Sequence, residues 1–204
     1  MPSKKAAVQG KSSSSNQATK KRRSPISREE GEKRLIDAAS ELIKHSPFSE
    51  VGVREIAELA NVNHGFVHTW FGSKNDLLLA VLKGKFSAMA EGVANAPPGA
   101  PAIDFFDPDV QLVVRLALWL DLEGVKTTGL FENMPVIEAL TTRYIEVEKI
   151  DPAIAREAAI QAISIGLGAG MFGPLLGVES TETIVPVMKL WRHIVDLLSK
   201  NPLR

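Results

Sequence analysis

Residues 53–74 read VREIAELANVNHGFVHTWFGSK, and this pattern predicts two short helices joined by a tight turn. Apolar side chains recur at helical spacing in both halves, namely Ile56, Ala57, Ala60 and Val62, then Val67 and Phe71. Asn61 and Asn63 flank the break, and asparagine favours both turns and helix N-caps. Helices of about two turns are unstable alone, so their apolar side must pack on neighbouring helices.

The outward face of the second predicted helix is aromatic and hydrogen-bonding rather than charged. It carries His64, Phe66, His68, Thr69 and Trp70. A solvated helix face is normally rich in charged and polar residues, so this composition indicates a surface that contacts a partner. His64 and His68 lie one turn apart and suit a metal ion, but no third ligand with sensible spacing accompanies them. We therefore predict neither a metal site nor a cofactor.

Eight positions of this stretch fit the pattern IA-x-x-A-G-V-S-x-G-x-[LI]-Y-x-[YH]-F-x-x-K, namely Ile56, Ala57, Ala60, Val62, Gly65, Val67, Phe71 and Lys74. In these positions the stretch resembles the helix-turn-helix of the tetracycline-repressor (TetR) family. It departs from the pattern at Asn61 (a glycine in the family), Asn63 (serine), His68 (tyrosine) and Trp70 (tyrosine or histidine). The remainder of the chain resembles the family only in length and helical character.

The resemblance implies binding to a double-stranded DNA operator, with the second helix in the major groove and its first residues near base edges. The residues expected at the DNA are Arg54, Asn63, His64, Phe66, His68, Thr69, Trp70 and Lys74. By resemblance His68, Trp70 and Lys74 would contact phosphates, joined by Arg54. Asn63 and His64 would lie at the groove floor, and Phe66 suits a thymine methyl. Two alternatives stay open: Asn63 caps its own helix, and Trp70 is a hydrophobic cover over the motif.

Charge is distributed unevenly along the chain. Residues 1–28 hold eight Lys or Arg and no acid, whereas the other 176 residues hold 16 basic and 24 acidic side chains, a net charge of −8. Nucleic-acid-binding domains are usually basic, so we expect the tail to supply positive charge to phosphates; the alternative is a plain disordered terminus. No apolar segment follows the first charges, so a signal peptide is not predicted.

Composition restricts the class of protein. The chain has 204 residues, 45% of them hydrophobic, and no cysteine, so a sizeable core is possible while disulfides and thiolate chemistry are excluded. The missing cysteines fit a reducing compartment, and we expect a cytoplasmic protein. There is no glycine-rich phosphate loop after a strand and no paired carboxylates apart from ordinary helix faces. We therefore predict that the chain is not an enzyme.

Helix start signals divide the chain into an all-α architecture. Ser27 with Glu30 forms a capping box, Ser73 precedes a fourth helix, and Asp107–Pro108 opens another. We predict a three-helix helix-turn-helix head and a helical-bundle body, with about nine helices in total. The expected domains are a disordered basic tail (1–24), a DNA-binding domain (25–73) and a ligand-binding and dimerisation domain (74–204). By resemblance, the fourth helix connects head and body.

Aromatic and methionine side chains of the body are candidates for an apolar effector cavity. Together with one arginine they are Phe105, Arg115, Trp119, Phe131, Met134, Tyr144, Met171 and Phe172. Ordinary core packing is the alternative for the apolar ones, and Arg115 could instead pair with an acid or extend to the surface. By resemblance, a small-molecule effector, which the sequence does not identify, would separate the two heads and release the operator.

The last third of the chain indicates self-association. Residues 158–178 carry no charge and are long enough to span a bilayer, but Gly173–Pro174 is expected to end the helix first. We therefore expect no membrane partner; a membrane-attached or structural helical dimer without sequence-specific DNA binding is the alternative. The final helix carries two adjacent apolar stripes, which predict a homodimer. The first stripe consists of Ile184, Met188, Trp191, Val195 and Leu198, and the second of Val187, Leu190, Ile194 and Leu197. The expected interface residues are Ala162, Gly166, Gly170, Met188, Trp191, Val195 and Leu198.

Overall fold

The computed structural model describes residues 26–126 and 134–200, and within these ranges all regular structure is helical. The helices are α1 (Arg28–His45), α2 (Val53–Leu59), α3 (Gly65–Trp70), α4 (Lys74–Asn95), α5 (Pro108–Leu122), α6 (Pro135–Glu146), α7 (Ala155–Leu176) and α8 (Thr181–Lys200). The predicted all-α class is confirmed, and eight described helices are close to the nine expected. The basic tail and Phe131 lie outside the described residues.

The predicted helix starts are present with their side-chain caps. The Ser27 hydroxyl accepts a hydrogen bond from the Glu30 amide at 3.2 Å, and the Ser73 hydroxyl accepts from the Asp76 amide at 3.1 Å. The Asp107 carboxylate accepts from the Asp109 amide at 2.8 Å, with a proline in the first turn of α5. Each cap satisfies an amide that a helix start otherwise leaves unpaired, so these boundaries depend on local sequence alone.

One hydrophobic core joins the first five helices. Leu35 of α1, Ile56 of α2, Val67 of α3 and Leu77 of α4 are fully buried and belong to one cluster with Leu116 of α5. The short helices α2 and α3 are therefore held by packing rather than by their own propensity. Because α5 shares this core, the three N-terminal helices rest directly on α5 as well as on α4.

A second core lies among α4, α6, α7 and α8, and it contains one buried cation. Arg143 of α6 is only 4% exposed, and its guanidinium donates hydrogen bonds to the carbonyl oxygens of Ala96 and Pro97. These carbonyls begin the connection between α4 and α5. Arg143 thereby ties that connection to α6, and no periodicity in the sequence indicates this contact.

The prediction that Gly173–Pro174 ends the seventh helix is wrong, because α7 continues to Leu176. Proline has no amide hydrogen, so Pro174 leaves the carbonyl four residues earlier without its helical partner. That carbonyl belongs to Gly170, and the side-chain amide of Gln111 in α5 donates to it at 3.3 Å. By length and composition α7 could cross a membrane; in the structure it packs against α5, α6 and α8.

Gln111→Ala is expected to lower the free energy of unfolding by about 1 kcal/mol, because it leaves the Gly170 carbonyl unpaired in a half-buried position. Urea unfolding followed by circular dichroism measures this change. Gln161→Ala is the matched control, since Gln161 is exposed on α7 and such surface changes stay within about 0.5 kcal/mol. Equal stability of the two variants would contradict the role assigned to Gln111.

Candidate nucleic-acid interface

The turn between α2 and α3 contains a residue in the left-handed backbone conformation and is closed by backbone hydrogen bonds. Asn61 has φ +53°, and the Val62 amide donates to the Ala57 carbonyl at 2.9 Å, the pairing typical of a helix C-terminus. The family pattern has glycine at this position. Asparagine is the residue that tolerates the left-handed conformation best after glycine, so Asn61 supports the same turn.

The exposed face of α3 assembles most of the predicted DNA-contacting residues. Val67 is buried, whereas His64, Phe66, His68 and Thr69 are exposed. The Phe66 ring stacks on Trp70, with centroids 4.2 Å apart and planes within 9°. Arg54 is also exposed, near the start of α2.

Several polar groups of this face are already hydrogen-bonded within the motif. The Asn63 side-chain oxygen accepts from the Gly65 amide at 2.9 Å, which is the helix-start role left open as an alternative. The Thr69 hydroxyl donates to the Gly65 carbonyl at 3.0 Å, and His68 Nδ1 lies 3.2 Å from the Gly72 carbonyl oxygen. These hydrogen bonds to backbone groups of the motif restrict the side chains of the α3 face.

Trp70 packs against α1, in agreement with its role as a hydrophobic cover, and part of its side chain remains exposed. A Cβ atom added at Gly31 of α1 would lie 2.5 Å from two ring atoms of Trp70, so the indole occupies a notch that only glycine allows. Trp70 nevertheless stays half-exposed. The contact between Gly31 and Trp70 fixes the angle between α1 and α3. Because Phe66 stacks on Trp70, the same contact also positions the Phe66 ring.

Lys74 is engaged inside the protein rather than extended into solvent. Its ammonium donates to the carbonyls of Phe48 at 3.1 Å and Ser49 at 3.3 Å, and it lies 5.5 Å from the centre of the Trp119 ring. The Phe48 ring is 5.7 Å from the same indole. Lys74 and Trp119, predicted for DNA and for effector respectively, therefore meet where the head rests on α5.

The predicted effector residues are divided among different places. Phe105 and Met134 line an apolar cavity of about 270 Å³, and Phe105 also lines a second cavity, of about 290 Å³, with Tyr144. Arg115 and Trp119 line an open depression beside the segment after α1. Met171 and Phe172 are exposed on α7.

Several of the residues predicted for the dimer interface contact their own chain in the structure. Trp191 and Val195 are buried in the body core. Gly166 and Gly170 form a notch for Phe105, whose ring would lie 2.2 Å from a Cβ at Gly166. Met188, Leu198 and Ala162 are half-buried or buried. The second stripe of α8 is the exposed one, with Val187 at 41%, Leu190 at 63% and Ile194 at 47% exposure.

The sequence pattern reveals two apolar stripes on α8. It does not indicate which of the two packs on the core of the same chain. Sequence reasoning also missed Gln111, Arg143 and the contact between Lys74 and Trp119. These contacts join residues far apart in the chain, so no local spacing could have indicated them.

Comparison with known proteins agrees with this geometry. Residues 35–81 match the family described as bacterial regulatory proteins, tetR family. The chain is 27% identical over 164 residues to the HTH-type transcriptional repressor Rv3405c of Mycobacterium tuberculosis, covering 78% of this chain and 82% of the relative. The HTH-type transcriptional regulator Mb3439c of Mycobacterium bovis gives the same identity and coverage.

Solved structures show more distant similarity. The TetR family repressor AlkX from Dietzia sp. strain DQ12-45-1b aligns with a TM-score of 0.44 at 17% identity, covering 83% of this chain and 93% of that one. The fatty acid degradation regulator FadR from Bacillus halodurans aligns with a TM-score of 0.44 at 16% identity, covering 84% and 99%. From the matched residues 35–81 and their geometry, this chain contains the helix-turn-helix domain of the tetR family of bacterial regulatory proteins, a DNA-binding domain of transcriptional regulators.

Proposed function

We propose that the chain is a homodimeric repressor that acts in the cytoplasm, binds a palindromic operator and is released by a small apolar effector. The observation that carries this proposal is the exposed apolar stripe of α8, formed by Val187, Leu190 and Ile194. The C-terminal end of α7 adds the exposed Leu175 and Leu176. Exposed apolar patches of this kind mark protein interfaces.

A two-fold interface suits this surface. Such an interface is self-complementary, so each chain contributes the same helices, here α7 and α8. The two copies of α3 would then face the same side of the DNA, about one helical turn (roughly 34 Å) apart, as required for a palindromic site. An interface on α7 and α8 would in this way serve DNA recognition by α3.

The proposed DNA contacts follow from which side chains remain available on the α3 face. His64, Phe66 and Thr69 lie toward base edges, where the Phe66 ring can contact a thymine methyl. His68, Trp70 and Arg54 contact phosphates, which fix register without reading sequence. Asn63 and Lys74 hold the motif in shape through their internal hydrogen bonds, and a phosphate contact by Lys74 would require it to leave the Phe48 and Ser49 carbonyls.

In this proposal the chain has three parts with different roles. Residues 25–73 bind DNA, and residues 74–204 bind the effector and dimerise. The basic tail, residues 1–24, adds contacts to phosphates. It offsets the acidic balance of the rest of the chain, and its contribution falls as salt rises.

The effector site we propose is the 270 Å³ cavity between α4, α5, α6 and α7. Its lining is wholly apolar and includes Phe86 and Met89 of α4, Val113 of α5 and Ile163 of α7. A lining of this kind selects an uncharged apolar molecule, since a buried polar group without a partner is unfavourable. Because α4 carries the head at its other end, an effector that favours one tilt of α4 shifts the spacing between the two heads.

Selection of bound DNA from a random pool, repeated at two salt concentrations, tests this function. We expect an inverted repeat that survives the higher salt, since a dimeric reader adds base contacts to its phosphate contacts. Binding without a motif that disappears with salt would show that only the basic tail engages DNA. That outcome would refute sequence-specific recognition by α3.

Gly31→Ala is expected to weaken operator binding by about tenfold, because its new methyl group displaces Trp70 and with it the stacked Phe66; tenfold corresponds to about 1.4 kcal/mol. Fluorescence anisotropy on the selected operator measures the affinity. Gly84→Ala in α4 is the matched control, since no atom lies within 4 Å of its Cβ position. If both variants bind like the wild type, the Gly31–Trp70 contact does not position α3 for DNA.

A further inference from the structure

The second cavity, of about 290 Å³, is separate from the proposed effector site and has a different chemistry. It is lined by the segment 99–106 and by α6, α7 and α8, and it is partly open to solvent. Most of its wall is apolar, including Leu140, Ala162, Ile184 and Met188, whereas Tyr144, Glu148 and Arg192 form a polar end. Ile103 and Phe105 line both cavities, and the Phe105 ring packs into the Gly166 notch, so the two cavities are neighbours.

Two polar groups of residues that line this cavity have no hydrogen-bond partner among the described residues, namely the Tyr144 hydroxyl and the indole nitrogen of Trp191. Tyr144 is the single tyrosine of the chain, it is 6% exposed, and its ring packs on Trp191 at 5.7 Å between centroids. Among residues 26–126 and 134–200, its hydroxyl makes no hydrogen bond. Burial, followed by the neighbouring Glu148 charge, raises the pKa of Tyr144. The phenol is therefore neutral near pH 7 and can both donate and accept.

The charged groups at the polar end are already paired with one another. The Glu148 carboxylate accepts a hydrogen bond from the Arg192 guanidinium and lies 3.6 Å from Arg143 Nε. Arg192 also donates to the Asp196 carboxylate at 2.9 Å. A charged ligand would enter without a counter-charge and lose its hydration, which is unfavourable. The cavity therefore suits a neutral molecule.

We propose that this cavity binds a small, uncharged and mainly apolar alcohol, whose hydroxyl group hydrogen-bonds the Tyr144 hydroxyl. The apolar part of the alcohol lies against Leu140, Ala162 and Met188. A hydroxyl ligand matches the site because it can accept from Tyr144 and still donate to an acceptor at the polar end. The volume is at the lower limit of small-molecule pockets, roughly 300–1,000 Å³, so the alcohol must be compact.

The single tyrosine allows a direct test on the full-length protein. Protein labelled with 3-fluorotyrosine gives one ¹⁹F resonance, that of residue 144, which is followed during titration with cyclopentanol, cyclohexanol and cycloheptanol. Each alcohol is compared with the methylcycloalkane in which a methyl group replaces the hydroxyl. We expect at least one alcohol to shift the resonance saturably, and its methyl analogue to bind about tenfold more weakly, as expected for the loss of one buried hydrogen bond.

Three variants separate this site from the rest of the protein. Tyr144→Phe, studied by calorimetry, is expected to bind the alcohol about three- to tenfold more weakly while melting like the wild type, because the hydroxyl has no partner in the described structure. Ala162→Leu fills the cavity and is expected to abolish the ¹⁹F shift. Ala117→Leu fills the other cavity, which Ala117 lines, and is expected to leave the alcohol titration unchanged.

The outcomes distinguish this inference from the proposed function. If no alcohol shifts the resonance, or if alcohol and methyl analogue act alike, the cavity does not recognise a hydroxyl group and the inference is wrong. A wild-type titration in Ala162→Leu would also refute it. If Ala117→Leu alone removes the alcohol response, the alcohol binds in the effector cavity instead. None of these results depends on whether the protein selects an inverted repeat.

Discussion

Leu190→Asp is expected to convert the protein into a monomer and to weaken operator binding by about a hundredfold or more. Leu190 is the most exposed residue of the apolar stripe on α8. In a two-fold interface the substitution buries two carboxylates without partners, which is strongly unfavourable. A monomer also loses the gain of about 10²–10⁴ that linking two binding modules provides.

Sedimentation velocity measures the oligomeric state, and anisotropy with the selected operator measures the affinity. Lys189→Asp is the matched control, because it places the same side chain at an exposed position one residue away, on the polar side of α8. It is expected to leave the dimer intact. A dimeric Leu190→Asp protein would show that the exposed stripe of α8 is not the subunit interface.

Gly173→Ala is expected to lower the free energy of unfolding by about 2–3 kcal/mol, the range for overpacking a filled site. A Cβ atom at this position would lie 1.9 Å from the Val178 carbonyl oxygen, which is backbone and has little room to move. The Val178 amide donates to the Gly173 carbonyl at 2.9 Å and closes the turn between α7 and α8. The substitution therefore opens the turn that sets the angle between the two proposed interface helices.

Denaturant unfolding at fixed protein concentration measures this loss. Gly168→Ala, in the same helix, has no atom within 4 Å of its Cβ position and is expected to stabilise the protein by up to about 1 kcal/mol through helix propensity. The two glycine substitutions in α7 should thus have opposite signs. A shared sign would mean that propensity or oligomerisation, rather than the contact with Val178, controls the effect.

The sequence by itself determined the features that depend on neighbouring residues. The caps at Ser27, Ser73 and Asp107 involve side chains two or three residues from the amides they satisfy, so their pattern is visible in the chain. The same holds for the helix-turn-helix, where Ile56 and Val67 repeat at helical spacing and Asn61 supports the turn. The outward face of α3, the candidate DNA-binding surface, follows from this periodicity.

Only the tertiary structure decided which surfaces meet. Both stripes of α8 are apolar, and packing on α6 and α7 buries Trp191 and Val195 while leaving Leu190 outside. Gly166 and Gly170, expected between subunits, instead contact Phe105. The helix α7 continues past Pro174, and Gln111, which is distant in sequence, donates a hydrogen bond to the Gly170 carbonyl that Pro174 leaves unpaired. The spacing of apolar residues along the chain specifies which faces of a helix are apolar. The surface that packs against each face depends on long-range packing, which minimises both unpaired polar groups and exposed apolar area.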